Sequence, residues 1–105
     1  MIHYVVFYET QPHVDDPKRQ EMARTARSLL LKIPEIFSVK SGRSLDSASQ
    51  WSFFVSIEVD SLKKLHIVLE DPIYLKFLES VIKNHTSVSF PQRFELDPSL
   101  DLKYS

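Results

Sequence analysis

Hydrophobic and polar side chains alternate along residues 2–10, with Ile2, Tyr4, Val6 and Tyr8 on one face and His3, Val5, Phe7 and Glu9 on the other. That alternation, rich in β-branched and aromatic residues, predicts a strand. After a short connection from Gln11 to Val14, the run Asp15-Asp16-Pro17 offers a carboxylate cap and a proline suited to a first helical turn. Met22, Ala26, Leu29, Leu30 and Ile33 then recur at helical spacing, while Lys18, Arg19, Arg24, Arg27 and Lys32 take the solvated side. Pro34 ends this helix. Ile36 to Arg43 predicts a second strand closing on Gly42, the 1 glycine in the chain, where a backbone conformation that other residues avoid is expected. Trp51 to Val59 is the clearest strand, with Trp51, Phe53, Val55, Ile57 and Val59 facing one way and Ser52, Phe54, Ser56 and Glu58 the other. Asp60-Ser61 caps a helix carrying Leu62, Leu65 and Leu69, and Asp71-Pro72 restarts it with Ile73, Phe77 and Val81 continuing the stripe. A last strand runs from Thr86 to Leu96 with Val88, Phe90, Phe94 and Leu96 on one side, and Pro91 inside it assigns it to a sheet edge.

The order is β-α-β-β-α-β, the split pattern of a ferredoxin-like α+β fold with a four-stranded antiparallel sheet. One domain is expected over residues 1–96, followed by a polar tail at 97–105. Two helical layers cover only one face of such a sheet, and the apolar faces of the first and third strands are expected beneath them. The opposite face still presents Val5, Phe7 and Phe54, and an apolar sheet face usually meets a partner. The plainer alternative is a monomer with scattered exposed hydrophobic residues.

Composition narrows the function classes. There are 13 Lys and Arg against 14 Asp and Glu, which gives no electrostatic footprint for nucleic acid or an acidic membrane surface. Cysteine is absent, excluding disulfides, thiolate metal sites and cysteine nucleophiles. The opening residues lack the basic start and apolar stretch of a signal peptide, and no apolar run suits a membrane span, so an intracellular, cytoplasmic protein is expected. A single glycine supplies neither a phosphate-binding loop nor a nucleophile elbow, so no phosphate cofactor is expected.

Three matches in order carry a family resemblance: the first strand running into Gln11-Pro12-His13-Val14; Ile33-Pro34-Glu35-Ile36 followed by Gly42-Arg43-Ser44-Leu45; and Trp51 through Asp60-Ser61-Leu62, then Leu65, Asp71-Pro72 and Phe77. On them the chain resembles the stress-responsive A/B barrel domain (Dabb) family of the dimeric α/β barrel superfamily, from Ile2 to Leu96. The resemblance implies a homodimer whose two sheets close into one barrel, with helices outside. Members of the family include heat-stable stress proteins, polyketide cyclases and proteins of no known role, and the wider superfamily includes cofactor-free monooxygenases.

The cyclase-like members use a tyrosine and a histidine on the second helical segment and often a histidine in the first strand. The resemblance matches these to Val68, Tyr74 and Tyr4, with His3 one residue off and facing the other side of the sheet. Without imidazole, general-base chemistry does not carry over, because an unperturbed phenol titrates near pH 10. Tyr4, Tyr8, Trp51, Phe53 and Tyr74 remain as the lining of an aromatic ligand pocket, although an aromatic stripe on a strand is more often packing. Some members hold magnesium on main-chain carbonyls near the subunit contact, and the matching positions are Leu30, Ile33 and Ile36. His66 and Glu70 share a helix face, but two residues make no metal site. Three readings therefore stand: a homodimer of unassigned role binding a small apolar or aromatic molecule; a cofactor-independent enzyme on phenolic or polyketide-like substrates, oriented by Tyr4 and Tyr74; and a stress-protective structural oligomer.

Overall fold

A computed structural model of the chain describes residues 1–97. The expected element order is present: β1 (Ile2–Thr10), α1 (Asp16–Leu30), β2 (Ser38–Arg43), β3 (Phe53–Val59), α2 (Leu62–Glu70), α3 (Pro72–Phe77), a π-helical turn (Leu78–Ile82) and β4 (Thr86–Glu95). Local chemistry sets the helix starts. The Asp15 carboxylate accepts from Lys18 N at 2.9 Å, the Ser61 hydroxyl from Lys64 N at 3.2 Å, and the Asp71 carboxylate from Ile73 N at 2.8 Å. Each satisfies a first-turn N–H that has no partner within its own helix. Asp60, paired in the sequence with Ser61 as a cap, instead holds Lys64 Nζ at 2.8 Å.

The four strands lie in the order β2-β3-β1-β4, all antiparallel, so β1 and β3 are inner strands and Pro91 sits on an edge strand as expected. Tyr8 pairs with Phe53 and Val6 with Val55, directing these side chains beneath the helices. Met22, Ala26 and Leu30 from α1 and Leu65 and Val68 from α2 close the core from above. Phe53 and Phe77 are essentially sealed, at 1 and 0 % exposure. Removing either ring should cost about 3–5 kcal/mol.

The other face of the sheet carries no helix. Its residues fall into rows set by register: Ser38, Glu58, His3 and Phe94; then Lys40, Ser56, Val5 and Gln92; then Gly42, Phe54, Phe7 and Phe90. The last row is apolar across the whole sheet. Gly42 does not adopt a positive φ, which corrects the expected backbone role. The Phe54 ring lies down on it, and a β-carbon there would stand 3.1 Å from Phe54 Cε1. The glycine is needed for space.

Candidate functional sites on the two faces of the sheet

On the helix side, β1 delivers Tyr4 and Tyr8, and α3 delivers Tyr74. At their base the rings pack against Val55 and Ile57 and leave no room for a water molecule. Towards β4 they open into a cleft of about 280 Å³, walled by Leu78 and Ile82 of the π turn and by Pro91. The five-residue π turn widens the helical segment where it passes this cleft. The Tyr4 and Tyr74 phenols share the wall of this cleft and influence each other's titration. Burial pushes the Tyr8 and Tyr74 phenols far above their ordinary range, and neighbouring phenols push them further. Burial also raises Tyr4, but the neighbouring Tyr74 hydroxyl and the nearby Arg93 charge partly offset it. Near neutral pH the trio is therefore un-ionised. It can donate hydrogen bonds and orient a bound ring, but it supplies no base.

No histidine lines this cleft among the described residues. His3 lies on the open face as expected, with Nδ1 3.9 Å from Glu58 Oε1, too long for a hydrogen bond. His85 Nδ1 meets the Val81 carbonyl at 2.6 Å, the helix-end contact expected of it, and its ring lies 6.3 Å from that of His13. His66 and Glu70 are exposed, and no cluster of three or more potential metal ligands occurs among the described residues.

The five residues expected to line one pocket do not meet. Tyr4, Tyr8 and Tyr74 do; Phe53 packs beside Tyr8, with ring centroids 6.1 Å apart, and is sealed into the core. Trp51 is on the other side of the sheet, stacked on Phe90 at 5.6 Å and 21°. The physical reason is that β3 begins at Phe53, so the period of two does not extend back to Trp51. On the open face, Val5, Phe7 and Phe54 are together as expected. Strand β4 adds Phe90 and Phe94, 46 and 52 % exposed, whose shared side of the strand is set on the open face by pairing with β1. The Leu30 and Ile33 carbonyls each accept a turn N–H, from Ile33 and Ile36 respectively. Like Ile36 O they are neutral oxygens, a ligand type that hard cations take together with carboxylates and water. Of the expected tail, Leu100, Leu102 and Tyr104 lie outside the described residues. No helix among those described is long and apolar enough to cross a membrane.

An antiparallel sheet covered by helices on one face and bare and aromatic on the other defines a ferredoxin-like α+β domain. The chain belongs to the stress responsive A/B barrel domain family, whose model matches residues 2–91. Solved structures share the fold. A dimeric ferredoxin-like protein of unknown function from Thermobifida fusca has 23% identity and a TM-score of 0.76, over 90% of each chain. A Dabb family protein from Mesorhizobium loti has 12% identity and a TM-score of 0.77, over 90% of this chain and 95% of its own. A hydroxynitrile lyase from Passiflora edulis has 15% identity and a TM-score of 0.73, over 95% of this chain and 96% of its own. Among curated proteins, none matches this chain.

Proposed function

We propose that this chain works as a homodimer in which two open sheet faces close into one barrel, and that each copy holds a flat, largely apolar small molecule against Tyr4, Tyr8 and Tyr74. The observation that carries the dimer is the Phe54–Phe7–Phe90 row, continued by Val5 and Phe94 on a face with no covering helix. Contiguous apolar surface of this kind marks an interaction site. The Thermobifida fusca neighbour is itself described as dimeric. The tyrosine cleft supplies the ligand side of the proposal, with apolar walls and a few hydroxyls to fix orientation.

Native mass spectrometry of protein purified without a denaturing step tests both parts. The expected result is a dimer carrying a defined extra mass; a monomer sinks the assembly, and a bare dimer sinks the retained ligand. Charged replacements Phe7→Glu and Phe54→Glu should yield monomers. Phe90→Glu, at an exposed edge position, should do so while leaving the fold intact, and an unchanged dimer mass in that variant would overturn the interface.

The gathering of the Tyr4, Tyr8 and Tyr74 phenols in one cleft favours one second reading, a cofactor-independent enzyme in which Tyr4 and Tyr74 orient a phenolic or polyketide-like substrate. Activity surviving both Tyr4→Phe and Tyr74→Phe would remove it.

A further inference from the structure

The bare sheet face is polar at one end and aromatic at the other. Ser38, Glu58, His3 and Phe94 form the first row, Gly42, Phe54, Phe7 and Phe90 the last, with Lys40, Ser56, Val5 and Gln92 between them. On the footing of the proposed dimer, we infer that two copies pack with like rows together, His3 of each copy bonding the partner's Glu58. Two reciprocal bridges then fix how far one sheet slides across the other, which a row of rings alone does not.

Two copies that bury the same face are related by a two-fold axis lying in the plane between them. Aligned sheets keep their strands within about 30° of each other, which leaves the axis along the strands or across them. An axis across the strands reverses the rows. Glu58 and His3 then land against the partner's phenyl rings, and Lys40 meets the partner's Lys40. Polar and charged groups buried without a partner are costly, and like charges face to face add to the cost. An axis along the strands keeps the rows, so ring meets ring. The strand order β2-β3-β1-β4 places the midline of the sheet between Glu58 on β3 and His3 on β1. Rotation about that line carries His3 over the partner's Glu58 and Glu58 over the partner's His3. It also sets Phe90 over the partner's Gly42, the position in that row with no side chain of its own, and Lys40 over the partner's Gln92.

Both side chains lack what such a bridge supplies. They are only 26 and 20 % exposed within one chain, yet no side-chain hydrogen bond holds either one among the described residues. Their own closest approach, 3.9 Å, is too long for one. Closing the face removes their remaining water, and only the partner can replace it. His3 Nδ1 is already closed off from solvent, which leaves Nε2 as the ring nitrogen that can reach out of the face and donate to a carboxylate.

Mixing two variants tests the bridges. Glu58→Lys removes the acid and His3→Glu removes the base, so neither variant keeps an opposite-charge pair within its own chain. Only the mixed dimer sets acid against base across the interface. In native mass spectra of an equal mixture, the mixed dimer should exceed its binomial share, with a Kd about tenfold below that of either variant alone. A dimeric wild type whose variants mix at random, or stay monomeric when mixed, would overturn the bridges alone. A monomeric wild type would sink the dimer and the bridges with it. Glu58→Gln, which keeps the shape of the side chain, gives an independent reading. Its dimer should dissociate several-fold more readily while the urea midpoint of the dilute chain is unchanged, and an unaltered dissociation constant would also overturn the bridges.

Discussion

Tyr8 and Tyr74 keep their protons well above the ordinary phenol value of 10.0, because burial opposes the charged form. Below about pH 10 the folded and unfolded chains both hold these protons, and the phenols add no pH dependence. Above it the unfolded chain releases them while the folded chain retains them. Protons bound in the unfolded state are then fewer, and stability falls as pH rises, by up to about 1.4 kcal/mol per unit for each phenol. Urea midpoints should therefore drop more steeply between about pH 9 and pH 11 in wild type than in a Tyr8→Phe, Tyr74→Phe variant. Equal slopes would mean that the rings are not buried as described. Gly42→Ala tests the other face. In a dilute chain the half-buried Phe54 ring can tilt away from the added carbon, and the lower entropy of the unfolded chain offsets the strain to within about 1 kcal/mol. In a closed dimer the same ring has nowhere to move. The urea midpoint at low concentration should be nearly unchanged, while dimer dissociation rises several-fold by analytical ultracentrifugation.

Asp71 serves two elements: its N–H bonds Val68 O at 3.0 Å as α2 ends, and its carboxylate caps α3. Asp71→Ala should lower unfolding free energy by about 1 kcal/mol, with Asp71→Asn recovering most of it, as read from urea denaturation. Caps of this sort are legible in a sequence because donor and acceptor lie within three residues of each other. Strand alternation is legible for the same reason, and it marks all four strands in the sequence. What escaped depends on relations between elements. The period of two groups Val88, Phe90 and Phe94 on one side of β4, but only pairing with β1 decides that this side is the bare one. Trp51 continues the pattern of β3 in the sequence, yet pairing stops at Phe53. The π turn has no compositional mark at all; Leu78 to Ile82 read as ordinary helix, and the cleft beside Tyr74 was invisible with it. Arg43 closes the second strand in the sequence, but its ion pair with Asp16 at the start of α1, at 3.3 Å, follows only from the packing of α1 on the sheet.

For the molecule as a whole, the helices cover one face of the sheet and leave the other bare. Under the proposed assembly, folding and association are coupled by mass action. The melting temperature should rise measurably over a hundredfold increase in protein concentration, and the rise should vanish in Phe90→Glu. A flat dependence in wild type would indicate a chain stable on its own. The sheet order has a further consequence during synthesis. The inner strand β1 needs β4 along one side, with Ile2 beside Glu95 and Leu96 N bonded to Met1 O at 2.9 Å. A ribosome makes β1 before either neighbour, so both its edges are open until β3 is made and the β4 edge stays open until Thr86 to Glu95 emerge. Unpaired edges of this kind recruit other strands. Premature contact between two growing chains would therefore fall along that edge until the last strand arrives.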